Sequence, residues 1–395
     1  MSGLSSVVVV GASVAGLRAA ETLRDEGFDG ALTLIGAEEH RPYDRPPLSK
    51  DLLIGISEPA DVALRVRGDL DAEWILGDAA ARLDLRRRVV VTESGREAAF
   101  DGVVLATGSA PRRLPALDVE REGVVELRTL EDALALRECL RERPRVVLVG
   151  SGFIGVEVAS SARTLGADVD VVSLDPPLIV AGTLFSDVCR GMLVDHGVRL
   201  HLGRSVAEVV GGEHVEAVAL DDGTRLPADL ILVAVGARPV TGWLDGSGLR
   251  LEDGVVCDAS LAAVGAEGVV VAGDIARWPN PLFGGLSMRV EHWTNAAEQG
   301  AAAARTLVHG ASPETAFASV PSFWSDHFGG RLQSVGLPGL ADRVEVVGGA
   351  VEERRFVAAA YKGEQLVGAT TYGMVRALMP YRAALARREP AMTEA

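Results

Sequence analysis

Short apolar runs punctuate the chain, each followed by a glycine-rich step and then by helical periodicity. Residues 7–10 are four consecutive valines. A continuous β-branched run predicts a parallel strand buried on both faces. A tight turn over Gly11 to Gly16 follows, then a helix to about Glu26 stopped at Gly27, then a strand over residues 31–35. The same order recurs mid-chain: strand 146–149, turn Gly150 to Gly155, helix to about Leu165 stopped at Gly166, strand 169–174. Two such units predict two nucleotide sites on an α/β scaffold. Residues 103–108 (VVLATG) and 269–274 (VVVAGD) predict further strands ending at Thr107-Gly108 and Gly273-Asp274. Residues 354–361 and 365–371 predict late strands in a separate C-terminal unit, with fraying from about Pro390.

Composition narrows the picture. A chain of 395 residues has room for two or three domains. Its 45 glycines gather largely at strand-to-helix junctions, which suits Rossmann-type turns rather than disorder. The formal net charge of −16 argues against nucleic acid as a partner, since phosphate binding needs a basic face. It leaves room for a local basic patch that receives an acidic partner. Cys139, Cys189 and Cys257 are far apart and form no CxxC pair. That spacing argues against a metal site, a redox dithiol or a disulfide framework, and suits small buried hydrophobes. Apolar runs such as 7–10 and 230–235 are too short to span a bilayer. The N-terminus has no basic region before its apolar run, so the expectation is a soluble cytoplasmic protein with no membrane partner.

The turns carry the chemistry. Gly11-Ala12-Ser13-Val14-Ala15-Gly16 fits G-x-G-x-x-G except at Ser13, where a glycine normally admits a pyrophosphate. Serine is small and can hydrogen-bond a phosphate oxygen. Glu38 and Glu39 follow the second strand, where a ribose-binding acid is expected. Gly150-Ser151-Gly152-Phe153-Ile154-Gly155 is complete, and its helix N-terminus would hold a second pyrophosphate. Asp274 ends an apolar strand; such a carboxylate faces a ligand crevice, caps the next helix, or does both.

Further segments share an order found in one group of flavoproteins. They are Arg41 to Lys50 (RPYDRPPLSK), Ala106-Thr107-Gly108, Arg128 to Ala133 (RTLEDA), and Gly152 to Glu157 (GFIGVE). Gly236 to Pro239 (GARP), Ala272-Gly273-Asp274 and Phe323 to Asp326 (FWSD) continue it. Over nearly its whole length the chain resembles the NAD(P)H-dependent ferredoxin reductases that serve bacterial cytochromes P450 and aromatic-ring dioxygenases. RPPLSK and FWSD are the most specific parts of that resemblance.

The resemblance implies a glutathione-reductase-like α/β fold with two Rossmann-type dinucleotide-binding domains and a C-terminal αβ domain. Residues 1–112 and 242–315 would form the FAD domain, 113–241 the NAD(P)H domain, and 316–395 the domain at the flavin and partner face. It implies FAD contacts at Gly11, Ser13, Val14, Ala15, Gly16, Glu38, Arg45, Lys50, Ala81, Ala106, Thr107, Gly108, Arg128, Gly273, Asp274, Trp293 and Trp324. It implies NAD contacts at Gly150, Gly152, Phe153, Ile154, Gly155, Glu157, Ser173, Asp175 and Gly236. Lys50 and Glu157 would act as a pair beside the reacting rings, since a buried lysine needs a partner. Trp324 would shield the flavin, lie on an electron path, or anchor the C-terminal domain.

Ser173 stands where the family usually has an acid, and Asp175 lies two residues on. No Lys or Arg occurs between Arg163 and Arg190, so the sequence favours NADH, with NADPH as an alternative donor. The implied acceptor is a small acidic electron carrier: a [2Fe–2S] ferredoxin, another ferredoxin type or rubredoxin. Arg65, Arg67, Arg289 and Arg331 are candidates for its docking patch. Rubredoxin reduction, NADH oxidase chemistry, and a flavin-bearing signalling role are the competing functions. Residues 36–50 contain no cysteine, which counts against peroxidase or disulfide chemistry.

Overall fold

The computed structural model describes residues 3–117 and 119–387. The expectation of fraying from Pro390 lies outside them.

The first sheet is parallel and drawn from distant parts of the chain. Its order is Val269–Val271, Gly102–Leu105, Ser6–Val10, Ala31–Gly36, Ala72–Leu76. The valine run is central and buried on both faces, as its lack of alternation requires. Two of the strands are shorter than their apolar runs. The backbone leaves the sheet after Leu105 and after Val271, so Ala106–Gly108 and Gly273–Asp274 fall in the turns beyond the strand ends.

Helix Val14–Asp25 covers this sheet and packs against Trp293–His309, a helix from almost three hundred residues later. A Cβ at Gly300 would lie 2.2 Å from the Ala15 carbonyl oxygen, so glycine there permits the helices to touch backbone to backbone.

The second sheet is parallel, in the order Arg199–Leu202, Asp168–Ser173, Arg145–Val149, Leu230–Val233, Val124–Val125. Alternate residues of its strands join different cores. Val146, Leu148 and Val171 pack against helices Phe153–Thr164 and Thr183–Asp195, while Val147, Val149 and Val172 pack beneath the strands at 206–227. A two-stranded antiparallel ribbon, Ser109–Pro111 with Ala237–Pro239, joins the two sheets' connecting segments.

The C-terminal sheet is antiparallel: Ser322–His327, Gly330–Gly336, Gln365–Tyr372, Arg355–Lys362, Arg343–Ala350. Its Phe323 and Phe356 share one core with Leu48, Leu52 and Leu53 of the RPPLSK region and with the second sheet. Three sequence-distant regions therefore meet along one apolar seam.

Candidate active site

Two cavities open at the C-terminal ends of the parallel strands, the position at which α/β sheets bind ligands. The first has a volume of about 450 Å³. Its walls include Gly11, Ser13, Val14, Ala15, Glu38, Arg45, Lys50, Ala106, Thr107, Gly108, Arg128, Gly273, Asp274, Trp293 and Trp324. The second, about 1110 Å³, is lined by Gly150, Gly152, Ser173, Asp175 and Gly236 among others. Phe153, Ile154 and Glu157 belong to the helix that begins at the second cavity, yet they line the first.

Gly16 and Gly155 line neither cavity. Each packs helix on turn: a Cβ at Gly16 would lie 1.9 Å from the Gly11 oxygen, and one at Gly155 2.1 Å from the Gly150 oxygen. Ala81 is exposed and lies outside the first cavity, whereas Ala79 and Ala80 line it. The ladder shifts register between Ala80 and Arg82, which leaves Ala81 unpaired and turned to solvent.

Glu38 is engaged at both oxygens. Tyr43 donates to Oε2 at 2.5 Å and Arg45 donates to Oε1 at 2.5 Å. Arg45 also donates to the Arg128 carbonyl at 2.5 Å, and the Leu130 N–H donates to the Tyr43 hydroxyl at 3.1 Å. Burial, reinforced by the Glu38 carboxylate, pushes the Tyr43 phenol above its usual range, so it stays a donor. Asp274 accepts from Ser109 Oγ at 2.8 Å and lies 3.6 Å from Arg128. Trp293 donates to Asp44 at 2.8 Å, and its ring meets Trp324 edge-on at 6.5 Å.

Lys50 and Glu157 come together: Nζ is 2.7 Å from Oε2, and the carboxylate side chain is 4 % exposed. Ser49 Oγ donates to the same Oε2 at 2.5 Å, and Ser325 Oγ donates to Oε1 at 2.8 Å. Lys50 also donates to the Pro46 carbonyl at 2.9 Å. Neither serine was singled out by the sequence reading, although both lie inside its two most specific motifs.

The first cavity suits a flavin dinucleotide on its own donor set. Cations at Lys50, Arg45 and Arg128 face it, along with the N-terminus of a helix on the first glycine turn. His292 sits on its wall with Nδ1 buried and without a partner. Burial depresses that imidazole to about 4, which keeps it neutral and able to meet a ligand group.

The second cavity corrects the sequence reading. Arg112, Arg113, Arg204 and Arg238 line it together with Ser173 and Asp175. Arg204 follows the next strand of the sheet, where its N–H donates to the Ser173 carbonyl at 3.3 Å. The gap in basic residues between Arg163 and Arg190 is thus a gap in sequence only. Carboxylates temper two of these cations: Arg204 lies 2.8 Å from Asp222, and Arg113 lies 3.5 Å from Glu126.

The expected docking cluster is also revised. Arg67 is held by Glu21 at 2.9 Å, and Arg331 by Asp326 at 2.6 Å. Arg289, with 9 % of its side chain exposed, is held by Asp253 and Glu291. Arg65 is exposed. An acidic chain supplies a carboxylate near most of its arginines, so the four do not form a patch of free cations. Among the described residues no cysteine lines either cavity; Cys139 is exposed, against the expectation of a buried hydrophobe, while Cys189 and Cys257 are buried thiols pushed up by burial, Cys189 to about 12.

Two parallel sheets with glycine turns, joined through one helix to a shared cleft, define an oxidoreductase with paired dinucleotide sites. The chain belongs to the pyridine nucleotide-disulphide oxidoreductase family, whose model matches residues 5–300, and a reductase C-terminal model matches residues 322–395. It is 38% identical over 336 residues to the ferredoxin reductase component of chlorobenzene dioxygenase from Cupriavidus sp. (strain PS12), covering 84% of this chain and 80% of that protein. It is 33% identical over 395 residues to rhodocoxin reductase from Rhodococcus erythropolis, covering 98% and 91%. Among solved structures, putidaredoxin reductase in covalent complex with putidaredoxin matches with a TM-score of 0.91 at 29% identity, covering 98% of this chain and 94% of that one.

Proposed function

We propose that this protein takes reducing equivalents from NADH and delivers them, through FAD, to a ferredoxin that feeds a cytochrome P450 or ring-hydroxylating oxygenase. The observation that carries the reading is the shared helix. It begins at the second cavity and sets Phe153, Ile154 and Glu157 in the wall of the first. A nicotinamide arm held on the second turn would therefore reach the cleft of the first.

FAD, when bound, accepts a pair of electrons and releases them singly. The chain supplies position and charge. Gly11, Ser13, Val14 and Ala15 would cradle the pyrophosphate at a helix N-terminus. Glu38, held by Arg45 and Tyr43, would face the ribose. Lys50 would place a positive charge beside the ring, where it would stabilise added negative charge. Ala106, Thr107, Gly108, Arg128, Gly273, Asp274 and Trp293 complete the cleft, with Ala80 replacing Ala81, and Trp324 shields its outer side. Gly150, Gly152, Ser173, Asp175 and Gly236 would hold the nicotinamide dinucleotide. The FAD domain comprises residues 1–112 and 242–315, the NAD domain 113–241, and the partner-facing domain 316–395.

Several relatives support the ferredoxin reading by name, among them the biphenyl dioxygenase ferredoxin–NAD(+) reductase component of Paraburkholderia xenovorans (strain LB400), 35% identical. Rubredoxin is the second acceptor to consider, because rubredoxin–NAD(+) reductase of Pseudomonas putida is 33% identical over 93% of the chain. A cytoplasmic location fits an NADH-dependent enzyme, and among the described residues no helix is long and apolar enough to cross a membrane.

The test is NADH-driven cytochrome c reduction by the FAD-loaded protein, alone and with panels of ferredoxins and rubredoxins. Stimulation by a ferredoxin is expected. Stimulation by rubredoxin alone would reassign the acceptor. Failure to take up FAD would overturn the reading.

A further inference from the structure

Helix Phe153–Thr164 presents three polar side chains along one face, at the i, i+3 and i+4 spacing: Glu157, Ser160 and Ser161. All three are bonded to other segments. Ser161 Oγ donates to the Ser49 carbonyl at 2.7 Å, and the Phe328 N–H donates to Ser160 Oγ at 2.7 Å. Glu157 takes Lys50 and Ser49 on Oε2 and Ser325 on Oε1. Among the described residues, Ser325 is the one donor that meets Oε1. It is fully buried in strand Ser322–His327 of the C-terminal sheet.

We propose that Ser325 is a positioning residue, through which the C-terminal sheet fixes the Glu157 carboxylate and, through it, the Lys50 ammonium. The inference rests on the flavin and NADH reading above. A carboxylate gripped at both oxygens cannot turn about its terminal torsion, which is otherwise broad. An ammonium has three N–H donors. In Lys50 one meets Glu157 and one meets the Pro46 carbonyl, leaving one for a ligand in the cleft. Removing the Ser325 hydroxyl leaves Oε1 buried without a donor and frees the carboxylate to rotate, taking the Lys50 contact with it. The face that meets the electron acceptor is thus tied to the group beside the reacting rings.

The experiment uses the FAD-loaded protein and two variants. Ser325→Ala removes the bond to Glu157. Ser334→Ala removes another fully buried serine of the same sheet, whose partner is Thr370 at 2.9 Å, and serves as the control. Stopped-flow flavin reduction by NADH should slow roughly tenfold in Ser325→Ala, the scale of one hydrogen bond to a charged group. Its flavin midpoint potential should shift, while NADH affinity stays within about twofold. Ser334→Ala should change neither rate nor potential. If Ser325→Ala does not fold, Ser325→Cys, close in size and a weak donor, reads the same quantities. Wild-type rate and potential in the Ser325 variant, or equal losses in both variants, would overturn the proposal. Failure of the unaltered protein to hold FAD would instead strike at the function itself, and its absorption spectrum reveals that beforehand.

Discussion

The two glycine turns share a backbone but not a sequence. Gly11 and Gly150 both have positive φ, at 115° and 105°. Their N–H groups donate to Ile35 and Val172 at the same 2.8 Å. A Cβ on either would lie 2.1 or 2.2 Å from a carbonyl oxygen, of Ala106 or Ala234. Gly16 and Gly155 are equally crowded by the turns they close. The middle position differs. Ser13 and Gly152 are both extended, and a Cβ added to Gly152 would meet no protein atom within 4 Å. The outer glycines therefore answer to the protein, while the middle one answers only to whatever binds. That is why Ser13 breaks the fingerprint without breaking the fold.

The comparison predicts its own breaking points. Gly155→Ala should be the most damaging, because a backbone oxygen blocks the new methyl. A loss of about 3 kcal/mol in denaturant unfolding is expected, and unchanged stability would show that the turns tolerate what their geometry forbids. Acid should act through two buried imidazoles, His292 on the first cavity and His327 in the C-terminal sheet, both depressed to about 4 by burial. Their depressed folded values, about 4 against an ordinary 6.5, mean that only the unfolded chain binds those protons in between. Stability should therefore fall as pH drops from 6.5 towards 4, and His292→Phe should flatten the titration by about one proton. Gly152→Ala should leave stability within about 0.5 kcal/mol. It should weaken NADH binding about tenfold by calorimetry, because its methyl meets only ligand. Ser173→Glu, which gives the second unit an acid like Glu38 of the first, should raise the NADH-to-NADPH efficiency ratio about fivefold in steady-state kinetics. A ratio that falls would assign nucleotide choice to Arg204 instead.

Much of this was legible from local pattern. The valine runs and the glycine turns each leave a signal within ten residues, whereas the Lys50–Glu157 pairing came only from the family resemblance. What escaped was assembled across strands. Arg204 reaches Ser173 because adjacent parallel strands end together, and nothing near residue 173 in the sequence announces it. Ser325 meets Glu157 from 168 residues away. The docking arginines were misjudged because their partners, such as Glu21 for Arg67, are 46 residues distant.

The contact between Ala15 and Gly300 also sets an order in time. A chain leaves the ribosome from its N-terminus, and domains fold as their residues emerge. The first sheet lacks its Val269–Val271 edge, and its helix lacks its neighbour, until residue 300 has been made. The second sheet is complete by Val233. The unit that begins first therefore has its last strand and its covering helix synthesised after every strand of the sheet inserted within it.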